Sequence, residues 1–425
     1  LKRRDFLAAS AVLSFFTAIP ALAANKKKTP GKQTTKKTSA KKTTSRSKPS
    51  AKKGKKSKTT TRSVARPAPE PAQTATYTPQ PTEAPNVISL PDEKPAQWKT
   101  YDIRTEITLN RINGKVRLWV PLAQYRDTPW ERSFGHSWQG NFQSAGIYRD
   151  PIADMEVFYA DWADGGTQPQ LHLTSQVATQ DRNFDITRRG AIAERGEVLR
   201  RNLQETALVP TDGIVRRTAE QAIGRIKDPL AQAKALYDWV VDNTEYDPAQ
   251  NRVGHSNIAT LLESGKFHGR SADIALLFVG LCRSMGIPAR PVFGLRLDRS
   301  RLFGSLGASG NLQTAQHCRA EFYSPGYGWI AVNPADVRKA IRDEGLSSSD
   351  SRLTVLKKLL FGFWEMNWIS FNAAQDVALR DSTGSKLPFL LYPVVETNQG
   401  RFDSMDSNLM TYRVTASRSD YETTG

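Results

Sequence analysis

Three residues stand where acyl-transfer chemistry would need them: Ser271 at the head of an apolar run, His317 at the start of an alternating segment, and Asn333 just beyond the next one. A hydroxyl at the first turn of a buried helix sits among unpaired N–H groups. These stabilise an anionic oxygen, and one of them can donate to the oxyanion formed on an attacked carbonyl. A histidine on a neighbouring strand would take the proton, and an amide or carboxylate on the following strand would fix the ring's tautomer. Taken singly, the residues have plainer readings: Ser271 as an ordinary helix N-cap, and His317, beside Cys318, as a partly buried histidine.

The elements that would position them are legible. From Ser271 to Met285 the chain is apolar nearly all round, densest along Ile274, Leu277, Phe278, Leu281 and Met285, and Gly286 ends it, so this helix should be buried. Val292 to Leu297, Cys318 to Tyr323 and Trp329 to Val332 read as strands packed against it. Upstream, Asp228-Pro229 opens a helix from about 229 to 244 with Ala233, Leu236, Tyr237, Val240 and Val241 as its apolar stripe. Earlier still, Tyr101 to Leu109 alternates, Asn113-Gly114 turns the chain and Lys115 to Val120 resumes the period, which predicts a hairpin. Glu156 to Tyr159 and Gln170 to Val177 read as further strands. His136 and His172 have no acidic or cysteine partner at metal-ligand spacing and read as surface or core histidines.

Several motifs, in order, carry a family resemblance: Tyr237-Asp238-Trp239-Val240-Val241; Ser271-Ala272-Asp273-Ile274-Ala275 with Phe278; Gly286 to Arg290; Ala315 to Tyr323; and Gly326-Tyr327-Gly328-Trp329 leading to Asn333-Pro334-Ala335-Asp336-Val337-Arg338. From about Val209 to Ala340 the chain resembles the transglutaminase-like, papain-related superfamily, in particular its secreted bacterial members. The resemblance implies an α+β fold, with a papain-like, transglutaminase-like core preceded by a small antiparallel β-domain. It places the family's nucleophilic cysteine on Ser271, its base on His317 and its orienting aspartate on Asn333, with Asp336 as an alternative orienting residue. Arg270 and Arg319 become candidates for a substrate carboxylate. A serine hydroxyl is a far weaker nucleophile near neutral pH than a thiol sharing its proton with histidine, and a neutral amide supports an imidazolium less well than a carboxylate. Both departures favour lost or altered chemistry.

Neither cysteine replaces the missing thiol. Cys282 lies about three helical turns, roughly 16 Å, from Ser271, and Cys318 should face the opposite side of its strand from His317. Two buried thiols are expected rather than a disulfide. No cofactor or metal is implied, since His268, Asp273 and His317 match no recurrent ligand spacing.

Organisation follows composition. Residues 1–23 combine Lys2-Arg3-Arg4 with an apolar run ending Ala21-Leu22-Ala23 and read as a twin-arginine signal peptide, cleaved after Ala23. Residues 24–66 hold 17 basic and no acidic residues and read as a disordered Lys-rich arm. Residues 67–95 form a Pro-rich linker, 96–205 the β-domain, 206–345 the transglutaminase-like core and 346–425 a C-terminal extension packed on that core, with strands at Phe389 to Glu396 and Leu409 to Thr415. The formal net charge of +18 belongs to the arm and leader, leaving the rest from Pro67 at about −1, near neutrality.

These features predict a protein exported to the periplasm or envelope, with no transmembrane span in the mature chain and no nucleic-acid partner, because the basic residues are not interleaved with aromatics that stack bases. Two functions fit: hydrolysis or transfer of amide or isopeptide bonds in peptides or peptidoglycan stem peptides, or a catalytically inactive binding or scaffold protein of the same fold. The arm should hold the protein to an anionic envelope surface. Deleting Ala24 to Arg66 is then expected to abolish binding to wall or membrane preparations at low salt, and wild-type binding should fall steeply as salt rises. Retention indifferent to both, measured by co-sedimentation, would leave the arm as a spacer.

Overall fold

The computed structural model describes residues 97–419, apart from 186, 188, 192, 250–252, 255, 403 and 405. The leader (1–23), the arm (24–66) and the linker (67–95) lie outside the described residues.

Period-two sequence builds two sheets in the first third. Strand β1 (Lys99–Leu109) turns Ile103, Ile107 and Leu109 inward and Arg104 and Glu106 outward. It is followed by β2 (Val116–Pro121), β3 (Glu131–Gly140), β4 (Ser144–Asp150), β5 (Met155–Trp162) and β6 (Gln170–Thr179). The helical part then supplies α1 (Ile214–Ile223), α2 (Pro229–Asn243) and α3 (Ser271–Ser284). Three strands follow, β7 (Ala289–Arg296), β8 (Gln316–Ser324) and β9 (Gly328–Val332), then α4 (Pro334–Asp343) and β10 (Trp368–Asn372). The chain ends with β11 (Val394–Thr397), β12 (Gly400–Phe402) and β13 (Met410–Arg418). The class is α+β, with a β-sheet region ahead of a helix-and-sheet core.

The core sheet runs β9-β8-β7-β10, and α3 lies on it with Phe278 against Phe322, ring centroids 6.1 Å apart. Every residue of α3 is buried. Asp228 caps α2 by accepting from the Ala231 N–H at 2.8 Å, with Pro229 in the first turn as the sequence suggests.

The two β-region sheets run β13-β1-β6-β3 and β12-β11-β2-β5-β4 and face each other, with Trp138 against Phe158 at 5.5 Å. Both take their closing strands from the C-terminus: β13 pairs with β1 from Tyr101↔Arg418 to Leu109↔Met410, and β11 pairs with β2. The extension from 346 therefore does more than pack on the core, because its last strands complete sheets begun some 300 residues earlier. β1 and β2, expected as a hairpin, lie in different sheets and do not pair, because periodicity reports that a segment is a strand and carries no information about which strand it pairs with. β3 and β4, whose alternation is broken by glycines and polar residues, were not foreseen, and Phe389 to Pro393 stays irregular where a strand was expected.

Gly294 of β7 marks a close approach. A Cβ there would lie 2.1 Å from the carbonyl oxygen of Ile369 and 2.4 Å from the Trp368 ring. Glycine to alanine in a strand ordinarily stabilises, but backbone cannot yield as a side chain does, so Gly294→Ala is expected to cost about 1–3 kcal/mol. The urea midpoint of the variant checks this, and an unchanged midpoint would contradict the packing of β7 on β10.

Candidate active site

Ser271 is the first residue of α3, and Arg270 rather than Ser271 occupies the N-cap. The turn before the helix is held by Asp273, whose carboxylate accepts the backbone N–H of Arg270 at 2.9 Å and of Ser256 at 2.8 Å. Gly254, at φ +97°, leaves room for that carboxylate; a Cβ there would lie 1.8 Å from Asp273 Oδ2. Asp273 is thus a structural anion at the positive end of the helix.

The Ser271 hydroxyl is turned to the core sheet, where its Oγ accepts the Cys318 N–H at 3.1 Å. It therefore sits against the peptide that joins His317 to Cys318. Among the described residues no hydrogen bond links Oγ to the His317 ring. Of the helix-start amides, Ala272 donates to the Val253 carbonyl at 2.7 Å and Arg270 to Asp273, while no hydrogen bond among the described residues uses the N–H of Ser271.

The His317 ring is gripped from α4. Its Nε2 lies 3.2 Å from Asp336 Oδ1 and 3.3 Å from Asn333 Nδ2. Asn333 is the N-cap of α4: its Oδ1 accepts the Asp336 N–H at 3.1 Å and its Nδ2 donates to Asp336 Oδ2 at 2.6 Å. With that oxygen committed, Asn333 can only donate to the ring, so Nε2 accepts from Nδ2, and Asp336 Oδ1 faces it as a charge rather than as a hydrogen-bond acceptor. The hydrogen-bond network therefore leaves the lone pair on Nε2 and the proton of the neutral ring on Nδ1. Arg296 of β7 closes the cluster by donating to Asp336 Oδ1 and to the Leu306 carbonyl.

Charge follows from these contacts. Burial pushes the His317 pKa well below its ordinary value, Arg296 adds to the fall and Asp336 opposes it without prevailing, so the ring is neutral. Burial would raise the Asp336 carboxyl, but Arg296 and then His317 outweigh it and hold the group far below the usual carboxylate range. Ser271, His317, Asn333 and Asp336 are each no more than 3% exposed, so a substrate reaches them only if the covering chain moves.

The other candidates are placed differently. Arg319 is 2% exposed, with its guanidinium 4.6 Å from the Trp368 ring and 5.5 Å from that of Trp364, and burial lowers its pKa to about 10. It is enclosed by aromatic rings and offers no charge to a substrate. Arg270 is half-buried, 5.5 Å over the Tyr246 ring. Cys282 and Cys318 are buried free thiols whose pKa values burial raises. His268 is exposed beside Glu245, at 3.2 Å. Arg296 went unnoticed in the sequence, since an arginine in a strand ordinarily reads as solvent-facing. Asp336 had a usable signal: Asn-Pro-Ala-Asp is a helix start, which folds its fourth residue back toward its first.

Residues 216–334 match the model of the transglutaminase-like superfamily. A protein of Haemophilus influenzae, itself uncharacterised, is 31% identical over 299 residues, spanning 66% of this chain and 79% of that one. Among solved structures, similarity extends to a proposed cysteine protease from Cytophaga hutchinsonii (15% identity, TM-score 0.45, covering 76% of this chain and 89% of that one). It extends also to the periplasmic domain of TgpA from Pseudomonas aeruginosa (16% identity, TM-score 0.31, covering 58% and 91%). The matched residues run from α1 to the first residue of α4 and include Ser271, His317 and Asn333. The chain belongs to the transglutaminase-like superfamily.

A neutral buried histidine couples stability to pH. Because the folded pKa of His317 is lowered, the unfolded chain takes up the proton first as pH falls through about 6.5. Its stabilising contribution is complete above that value and is lost as pH drops toward the folded pKa. Urea midpoints should therefore decline with acid from about pH 6.5, and His317→Gln should flatten part of that slope. An equally steep slope in the variant would assign the loss to other groups.

Proposed function

We propose that the protein is a catalytically silent transglutaminase-like binding or scaffold protein of the cell envelope. The observation that carries this reading is the state of Ser271: its oxygen accepts a backbone N–H from Cys318, and no hydrogen bond passes its proton to His317. A hydroxyl is a useful nucleophile only when a base removes its proton during attack. The depressed pKa of His317 makes it a weak one, and Arg296 spends part of the Asp336 charge that would stabilise an imidazolium. Envelope association is supported by the leader pattern at residues 2–23 and the cationic arm at 24–66. Among the described residues no helix is long and apolar enough to cross a membrane. The partners we assign are peptides, including peptidoglycan stem peptides, and the anionic envelope surface.

A second reading has its own support in the His317 Nε2 to Asp336 contact and in the Ser271 N–H, which no hydrogen bond among the described residues uses. On opening of the centre, with the ring proton moved to Nε2 against Asp336, Ser271 Oγ would attack an amide carbonyl while Nδ1 of His317 takes its proton. The Ser271 N–H would hold the oxyanion, and the ring would return the proton to the leaving amine.

Turnover separates the two. Mature wild type and Ser271→Ala are incubated with stem peptides and with glutamine-containing peptides, and hydrolysis, deamidation and transfer to an added amine are followed by mass spectrometry. Equal background rates in both forms are expected. A wild-type rate well above that of the alanine variant, by up to about a millionfold as loss of a working serine nucleophile produces, would overturn the silent reading and establish the second.

A further inference from the structure

The β-region holds a polar cluster that the Ser271 centre does not use. β3 and β4 are the edge strands of the two facing sheets, and between them opens a cavity of about 600 Å³ walled by Tyr125, Phe134, His136, Ile147, Arg149 and Glu156. The register shift in β3 between Ser133 and Gly135 bends the edge here.

A relay runs outward from the sandwich interior. Ser175 Oγ lies 2.7 Å from His136 Nδ1, His136 Nε2 lies 3.2 Å from Glu156 Oε2, and Glu156 Oε1 accepts from Arg149 Nε at 2.8 Å. The side chains of His136 and Glu156 are 3% and 4% exposed, whereas that of Arg149 is 61% exposed. The inner members are thus structural and the last one faces the cavity mouth. Burial would raise the Glu156 carboxyl, but hydrogen bonds from His136 and Arg149 outweigh it and keep it ionised. Arg149 is fixed twice, through Nε and by its guanidinium lying 4.7 Å over the Tyr125 ring. Among the described residues neither of its terminal amino groups makes a hydrogen bond. Beside it stands Phe134, a large apolar side chain left 46% exposed.

We infer that this cleft is a binding site for a carboxylate adjoining an apolar group, with a peptide C-terminus as the ligand that presents both. A guanidinium held at Nε and stacked on a ring keeps its two outer amino groups as a preset fork, which a carboxylate meets with two parallel hydrogen bonds. Holding the fork in advance removes the ordering cost that a free arginine would pay on binding. Phe134 and Ile147 accept the neighbouring side chain, and the volume of the cavity lies in the range of ligand sites. The site does not depend on whether Ser271 reacts.

Calorimetric titration of the mature protein with acetyl-Ala-Ala-Phe, as free acid and as C-terminal amide, tests it. The acid is expected to bind about tenfold or more tightly than the amide, as loss of charge-assisted hydrogen bonds predicts. Arg149→Gln should abolish the preference, Arg149→Lys should weaken acid binding because the fork is lost, and Ser271→Ala should bind as wild type. Arg149 is exposed, so these variants keep the fold, which far-UV circular dichroism verifies. N-acetylphenylalanine distinguishes a peptide end, if it binds more weakly than the tripeptide, from a small free acid, if it binds as well. Equal affinity for acid and amide, indifference to Arg149→Gln, or absence of saturable binding would each overturn the site.

Discussion

The buried carboxylate of Asp336 is the point on which the core's geometry turns. It receives Arg296 from β7, faces Nε2 of His317 on β8, and holds Asn333 and its own helix start together. An ion in that position is tolerable because it is paired on every side; removing one partner of such a pair ordinarily costs about 3–5 kcal/mol. Two strands and a helix thus cannot drift apart without exposing an uncompensated charge. The cluster fixes the orientation of His317 more firmly than packing of an isolated imidazole could.

The same carboxylate limits what the histidine can do. In a thiol enzyme the resting pair is thiolate and imidazolium, and the surroundings must favour charge on the ring. Here burial and Arg296 favour the neutral ring, and Asp336 divides its charge between two partners. Serine at 271 agrees with that environment, since a hydroxyl neither supplies nor needs a resting counter-ion. Ser271, Asn333 and Arg296 are therefore consistent with one another: none of them favours a resting charge separation between residue 271 and the histidine.

How much was legible in the sequence depended on how local the signal was. α2 and α3 follow from apolar periodicity and caps, and the order helix, strand, strand suggests one neighbourhood for Ser271, His317 and Asn333; in it Asn333 reaches the His317 ring, while Ser271 Oγ meets the Cys318 N–H. Strand pairing was not legible, because β13 with β1 and β11 with β2 are contacts between ends of the described chain. Arg319 reads in the sequence as a substrate-facing charge and Arg296 does not stand out at all, for a different reason: a charged residue in an alternating strand suggests solvent, and only tertiary structure supplies the carboxylate or the tryptophans that make its burial tolerable. His136 illustrates the same limit, since its partners Ser175 and Glu156 lie on two other strands, in different sheets.

Buried charge also joins the β-region to the core. Arg182, which follows β6, donates to Glu321 on the outer face of β8, and Arg290 of β7 donates to the same carboxylate at 2.7 Å. Burial alone would raise the Glu321 carboxyl, but the two guanidiniums outweigh it and bring its pKa to about 2. Arg182 in turn lies 4.0 Å from the Trp130 ring and 4.7 Å from that of Trp364. An apolar seam would tolerate sliding, because dispersion has little directional preference, whereas a carboxylate shared by two guanidiniums between indole rings fixes both distance and angle. His317 and Arg319 share the outward face of β8 with Glu321 by strand alternation. The strand that carries the candidate base is therefore also the one that anchors the β-region, so a change at that seam reaches the Ser271 centre through one rigid element.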